Sequence, residues 1–201
     1  MNETRIFADA YQTTFADPKE MLEFLAQRAK ESSWIRKPTR TLRLVPAIQE
    51  AGKMKDTVGK NWEEILEDTE NNTQLALKIK GETYPVRTCA IRTILDRAGI
   101  SGSGLRKLET ANYAKVVNYC LKVAKGDALI KIADGKVSAV HGGDHHDYSI
   151  LDMRAVFEMT MQFLNTNFPG NSYVEGSGMF DHSIVSAMWE LGGNQELLDT
   201  Y

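Results

Sequence analysis

Histidines and aspartates are concentrated in one short stretch, "HGGDHHD", at residues 141–147. Imidazole and carboxylate groups are ligands that zinc, iron and manganese accept, and the two glycines would let the backbone fold closely around an ion. A metal ion held there would lower the pKa of a bound water and so produce a nucleophile for hydrolysis. The residues that would bind the metal are His141, Asp144, His145, His146 and Asp147.

The spacing of this stretch matches no standard metal site, because it has no H-E-x-x-H motif and no cysteine partner. Glycine, aspartate and histidine are also common in solvated loops. In that interpretation Asp147 or Ser149 caps a helix beginning near Leu151, and His182, a distant candidate ligand, is an ordinary histidine at a strand edge. The sequence favours the polar loop, so no cofactor is expected, and a divalent metal belongs to the alternative.

Signals for nucleophilic catalysis are weak. The sequence contains no G-x-S-x-G motif. The stretch "SGSG" at residues 101–104 precedes a predicted helix and could offer backbone N–H groups to a phosphate, but it lacks the lysine of a Walker loop. A turn between two helices is the favoured interpretation. No catalytic residues are predicted, and a protein that is not an enzyme is expected.

The same turn admits a second interpretation, a helix-turn-helix over residues 92–109. Leu105 and Leu108 would be the inward positions of the second helix, while Arg106 and Lys107 would face a DNA backbone. Leu95 argues against it, because it stands where such motifs need a small residue for close helix approach. An ordinary helical corner is therefore favoured.

Two charged segments suggest contact surfaces. Basic residues outnumber acidic ones between residues 28 and 43, and the members that would contact a phosphate backbone or an acidic protein are Trp34, Arg36, Lys37, Arg40 and Arg43. An acidic helix follows, on which a basic groove could dock, and its candidate residues are Glu63, Glu64, Glu67 and Asp68. Plain solvation is the default interpretation of each charged run.

Helices and hairpins must position these residues, and their patterns predict an α+β fold in which antiparallel hairpins pack with several helices. Asp17, Pro18 and Glu20 form a capping signal for the first helix. Asp134-Gly135 between two alternating runs predicts a tight hairpin turn. Further predicted helices are "GKNWEEILEDTENN", "CAIRTILDRAGI", "LRKLETANYAKVVNYCLKVAK" and "ILDMRAVFEMTMQFLNTNF"; predicted strands lie around Leu42–Leu44, in "TQLALKIKGETYPVRT", and around Tyr173 and Ile184–Trp189, and the first turns of another helix follow.

Composition sets broader limits. The chain has 201 residues, a formal charge of −3 and a pI of about 5.8, so it has no overall basic field to attract nucleic acid or an anionic membrane. Its start lacks the pattern of a secretory signal, and no apolar run is long enough to span a bilayer. Cys89 and Cys120 occur singly, as in reduced core positions. One cytoplasmic globular domain over residues 1–201 is expected, with an N-terminal subdomain at 1–72 and a core at 75–190.

The order of elements in that core resembles the phage/plasmid-like domain-of-unknown-function family. The positions that carry the resemblance are Gly135, Val137, Ala139, Val140, Tyr148 and Leu151, in a hairpin that runs through a Ser/Tyr loop into a helix. The resemblance implies an α+β fold and an origin on a mobile genetic element, and it supplies no activity. The chain departs from the family in its extra "HGGDHHD" and in its early end.

These observations together favour a non-enzymatic accessory protein of a mobile element. Its expected partner is a host protein or protein–nucleic-acid complex such as a defence nuclease, which the protein would inhibit in the manner of an anti-CRISPR or antirestriction factor. Nucleic acid itself is a second expected partner, and a membrane is not. The alternatives are a metal-dependent hydrolase or nuclease built on the 141–147 stretch, and a DNA-binding regulator of helix-turn-helix type.

Overall fold

The structure is a computed structural model that describes residues 5–142, 150–180 and 182–192. It confirms the α+β class, because helices pack with short antiparallel sheets. The helices are α1 (Pro18–Glu31), α2 (Ala51–Val58), α3 (Trp62–Asn72), α4 (Thr88–Ala98), α5 (Thr110–Val123) and α6 (Met153–Asn167). The strands are β1 (Gln12–Thr14), β2 (Ser32–Pro38), β3 (Arg43–Pro46), β4 (Leu75–Ile79), β5 (Glu82–Pro85), β6 (Asp127–Ala133), β7 (Lys136–Gly142), β8 (Asn171–Tyr173), β9 (Gly178–Phe180), β10 (Ile184–Ser186) and β11 (Trp189–Leu191).

Residue contacts divide the chain into two compact units that interleave along the sequence. The larger unit comprises Met1–Tyr11 and Ser32–Ser149, and the smaller unit comprises Gln12–Glu31 and Ile150–Tyr201. The N-terminal subdomain expected at residues 1–72 does not correspond to either unit, because α1 groups with the C-terminal segments.

The larger unit contains two three-stranded antiparallel sheets, with strand orders β2-β6-β7 and β3-β4-β5. Helix α4 packs against β7 and α5 packs against β3, which buries the apolar side chains of both sheets in one core. Ala76, on the opposite face of β4, packs with Met54 of α2 and with Ala47 of the 3₁₀ turn before it, so the β3-β4-β5 sheet is covered on both sides. That second cover explains why β4 is almost wholly buried instead of alternating.

The hairpin between β6 and β7 forms as predicted. Asp134 and Gly135 have φ values of 51° and 74°, the left-handed pair that a type I′ turn requires. A β-bulge between Lys131 and Ile132 shifts the register, so that Lys131 faces Ala139 and Ile132 faces Val137.

The smaller unit combines α1 and α6 with two small sheets, one ordered β1-β9-β10 and one pairing β8 with β11. Its core is formed by Phe15, Met21 and Leu25, which pack with Phe24 and Phe157. No helix among the described residues is long and apolar enough to cross a membrane.

The predicted start of α1 is confirmed. The Asp17 carboxylate accepts a hydrogen bond from the Glu20 N–H at 2.9 Å, and the Glu20 carboxylate accepts one from the Ala16 N–H at 3.0 Å. These two bonds satisfy donors that the first helical turn leaves free.

Helix α6 forms close to its predicted start near Leu151. The helix begins at Met153, and its cap is Asp152, whose Oδ1 accepts from the N–H groups of Arg154 at 3.0 Å and Ala155 at 3.3 Å. Asp147 and Ser149, which the sequence favoured as caps, lie outside the described residues. The helix expected near the C-terminus also lies outside them.

Two further helix assignments differ from the sequence prediction. Helix α2, "AGKMKDTV", was not predicted, since its apolar residues are few. The helix predicted from Leu105 is instead a single 3₁₀ turn at Leu105–Lys107, after which α5 begins at Thr110. The chain between α4 and α5 is therefore a long connection and not the tight turn of a helix-turn-helix.

Candidate partner-binding surface

The basic segment at residues 34–43 does not form one continuous surface. Side chains alternate along β2, so Trp34 and Arg36 lie on one face of the sheet while Lys37 lies on the other. Arg40 is exposed on the 3₁₀ turn Thr39–Thr41. Arg43 Nη1 donates hydrogen bonds at 2.7 Å to the carbonyl oxygens of Arg40 and Leu42, which holds its guanidinium against the backbone.

Trp34 lies in an aromatic and cationic cluster instead of facing solvent alone. Its ring centroid is 6.4 Å from that of His141, with an interplanar angle of 29°, and 5.8 Å from Lys131 Nζ. Partial burial of the imidazole, together with the positive charge of Lys131, lowers the pKa of His141 from its ordinary value. The Trp34 indole therefore already contacts an imidazole and an ammonium group, and its contact with a partner stays a prediction.

His141 is the one member of the predicted metal site that the structure describes. Asp144, His145, His146 and Asp147 lie outside the described residues, so the metal site stays a prediction. Within the described ranges no group of three or more histidine, cysteine, aspartate or glutamate residues could hold a metal ion. His182 lies in the turn between β9 and β10 of the smaller unit, buried, with Nδ1 3.3 Å from Arg28 Nη2.

A basic depression forms where the 3₁₀ turn at residues 39–41 meets the chain between α5 and β6. Its volume is about 420 Å³, and its charged lining consists of the cations Arg40, Lys122 and Lys125 and the acid Asp127. Three cations against one acid give this depression a local positive charge within a chain of net charge −3. The sequence did not predict this depression, because Arg40 lies in the predicted basic segment while Lys122 and Lys125 lie far along the chain, at the end of α5 and just after it.

Buried contacts fix the two sides of this depression. Thr39 is fully buried, and its N–H donates to the Gly126 carbonyl at 3.0 Å. Arg97 of α4 donates from Nε to Thr39 Oγ1 at 2.7 Å and from Nη2 to the Lys125 carbonyl. Gly126 has a φ of 76°, so the chain turns here in a conformation that favours glycine. The cations thus project from a braced backbone.

The outer face of α5, which reaches the depression at Val123, carries exposed apolar side chains. Val116, Tyr119 and Val123 lie at helical spacing and are 37%, 66% and 77% exposed. No acidic residue occurs between Thr110 and Gly126 in the sequence. We call Arg40, Lys122, Lys125, Tyr119 and Val123 the basic surface.

The acidic helix predicted as a second contact surface is divided in the structure. On α3, Glu63 and Glu67 are exposed, and Glu64 forms an ion pair with Arg5. Asp68 instead points toward the buried Lys136. Only part of the predicted acidic face is therefore available to a partner.

Asp68 belongs to a buried ionic cluster that the sequence did not reveal. Lys136 is fully buried, and its Nζ lies 2.7 Å from Asp9 Oδ1 and 2.5 Å from Asp68 Oδ2. Asp9 Oδ2 accepts from both the N–H and the hydroxyl of Thr88 at 2.7 Å. Burial alone would raise the pKa of Asp9, but the charge of Lys136 and these hydrogen bonds outweigh it, so the pKa is lowered.

Arg87 extends the cluster to the hairpin turn and to the N-terminal segment. Its Nη2 donates to Asp134 Oδ2 at 2.9 Å, and its Nη1 donates to the Phe7 carbonyl at 2.8 Å. Because these charges are paired and buried, the cluster joins segments far apart in sequence and does not present a reactive group to solvent. A turn sequence such as Asp134-Gly135-Lys136 is ordinarily exposed, so the sequence pattern did not predict that its charged side chains take part in a buried cluster.

The predicted DNA contacts Arg106 and Lys107 both lie exposed on the 3₁₀ turn at residues 105–107. That turn lacks the recognition helix on which the DNA-binding interpretation depended.

Fold and surface together define an α+β protein with a braced basic surface. Comparison of the chain with protein-family models, with curated proteins and with solved structures finds no match. The resemblance to a phage/plasmid-like family therefore stays a prediction.

Proposed function

We propose that this protein is a binding protein whose basic surface contacts the phosphate backbone of a nucleic acid, alone or within a host nucleoprotein complex. The observation that carries the proposal is the convergence of Arg40, Lys122 and Lys125 around one depression. Lysine and arginine side chains that neutralise phosphates provide most of the affinity of such complexes.

The neighbouring exposed side chains suit the same partner. Tyr119 is 66% exposed on the turn of α5 that precedes Lys122, so its ring is accessible to a nucleobase. Stacking of bases on aromatic side chains, combined with a cationic track, is how proteins bind single strands without reading sequence. In this proposal Tyr119 takes the stacking role that the sequence had suggested for Trp34.

The partner's setting follows from the family resemblance. We propose that the protein is an accessory factor of a mobile element that engages a host defence complex, of the kind that a nuclease forms with its nucleic acid. An inhibitor of that type needs a contact surface and no catalytic centre of its own.

The binding proposal is tested by fluorescence anisotropy with a labelled single-stranded oligonucleotide and a labelled duplex over a range of salt concentrations. The test variant carries Arg40→Gln, Lys122→Gln and Lys125→Gln. Its matched control carries Lys19→Gln, Lys30→Gln and Lys60→Gln, which changes the net charge equally at three exposed positions elsewhere.

We expect the native chain to bind, and affinity to fall as salt rises. In the test variant the slope of log K against log salt should decrease in magnitude by about 2, because each lost contact with a single-strand phosphate contributes about 0.7 to the slope. The control should keep the native slope. Equal loss in both variants would show that general charge, not this surface, attracts the nucleic acid, and no binding by the native chain would overturn the proposal that it binds free nucleic acid.

A further inference from the structure

A second concave site lies between α4, the chain that follows it and the start of α5. This α4–α5 groove has a volume of about 1260 Å³, which is ample for a drug-sized ligand. Its apolar lining consists of Leu75, Ile91, Leu95, Ile100, Leu105 and Leu108. Leu75 and Leu95 belong to the packed core and form the floor of the groove, whereas Leu108 is 40% exposed at its surface.

The wall of the groove has a defined shape. Gly99 ends α4 with a φ of 69°, and the N–H of Ile100 donates to the Leu95 carbonyl at 3.1 Å. A Cβ at Gly102 would lie 2.7 Å from Leu95 Cδ1, so a larger residue here would displace the end of the Leu95 side chain. The Leu105 N–H then donates to the Gly102 carbonyl at 3.2 Å. The small size of Gly102 therefore leaves room for the Leu95 side chain, the residue that argued against a helix-turn-helix.

The polar groups of the groove favour an anion. Arg92 and Asp96 lie 3.9 Å apart and are 91% and 70% exposed, so they form a weak surface pair on its rim. Arg106 makes no hydrogen bond or ion pair with any other described residue, and its charge is near enough to oppose the rise that burial causes in the pKa of Tyr113. A guanidinium and a phenol side chain therefore line the same apolar groove.

We propose that the α4–α5 groove binds a small organic anion with an apolar body, an acyl or aryl carboxylate. The body would lie on Leu95, Ile100 and Leu105, and the carboxylate would accept hydrogen bonds from Arg106 and from the Tyr113 hydroxyl. This site is distinct from the basic surface and does not rest on the proposed nucleic-acid binding.

The test is a titration of the full ¹⁵N-labelled chain with decanoate, followed by ¹H–¹⁵N correlation spectra, with decanamide as the uncharged match. We expect shifts concentrated at residues 91–113 and weaker binding of decanamide. Arg106→Gln should weaken the binding of decanoate about tenfold, as expected for the loss of a charge-assisted hydrogen bond, and should leave the affinity for decanamide unchanged. Lys107→Gln is the matched control, because Lys107 occupies the same turn without lining the groove, and it should bind as the native chain does.

A second variant, Leu108→Glu, places a carboxylate in the groove at a partly exposed position and should abolish decanoate binding. Near-UV circular dichroism confirms that each variant keeps its tertiary structure. The proposal is overturned if decanoate does not bind, if shifts spread over the whole chain, if decanamide binds equally well, or if Arg106→Gln and Lys107→Gln behave alike.

Discussion

At the scale of single residues, charge burial separates groups that hold the fold from groups that could meet a partner. Lys136 and Arg87 are fully buried and paired, whereas Arg40, Lys122 and Lys125 are exposed around a depression. Sequence cannot distinguish these two sets, because each lysine or arginine has the same intrinsic preference for water. The distinction arises from which backbone segments meet in the fold.

Replacing Lys136 by methionine tests the buried cluster. The substitution leaves the carboxylates of Asp9 and Asp68 near each other without their shared cation. We expect a loss of about 3–5 kcal/mol in the free energy of unfolding near neutral pH. Urea denaturation measures it, and Lys125→Met, at an exposed position, should change stability by less than about 0.5 kcal/mol.

The pH dependence of the same loss has a definite sign. The pKa of Asp9 is lower in the folded chain than its ordinary value, so its ion pair contributes stability above that ordinary value, about 3.9. This contribution disappears as the pH falls through the folded pKa. The native chain should therefore lose more stability on acidification than the Lys136→Met variant does. If the difference in free energy of unfolding between the native chain and the Lys136→Met variant stays constant with pH, Lys136 stabilises the fold by packing and not by its charge.

At the scale of elements, the sequence predicted those whose signals are local. Asp17 and Glu20 at the start of α1 and the Asp134-Gly135 turn are short-range signals, and both are confirmed. The predicted start of α5 was wrong. Leu105 and Leu108 fit a helical period, but the chain forms only a 3₁₀ turn there. The basic surface could not be predicted, since it depends on Thr39 and Gly126 meeting across many residues.

The start of α6 provides a test at this scale. Asp152 accepts hydrogen bonds from two backbone N–H groups of the first turn, so Asp152→Ala should destabilise the smaller unit by about 1 kcal/mol. Thermal unfolding followed by circular dichroism measures the change. Glu175→Ala, at an exposed position of the same unit, is the comparison and should leave stability nearly unchanged. An effect of Asp152→Ala no larger than that of Glu175→Ala would contradict the assignment of the cap.

At the scale of the whole molecule, net charge and local charge act in opposite directions. A chain of net charge −3 repels a polyanion at long range, so binding must depend on the few cations that face it at close range. Such binding is weak at high salt and sensitive to the loss of two or three side chains. An accessory protein that docks onto a nucleoprotein complex fits this pattern, because protein contacts can add affinity that the phosphates do not supply.

The host-defence part of the proposal predicts protection of a targeted plasmid in living cells. Cells that carry a defence nuclease and express the native chain should yield more transformants of the targeted plasmid than cells without it. The Arg40→Gln, Lys122→Gln, Lys125→Gln variant should lose this protection, because it lacks the cations of the basic surface. The Lys19→Gln, Lys30→Gln, Lys60→Gln control should retain it at matched expression. Absence of protection by the native chain across restriction and CRISPR systems would remove the host-defence role, whereas protection that survives in the first variant would place the contact elsewhere on the molecule.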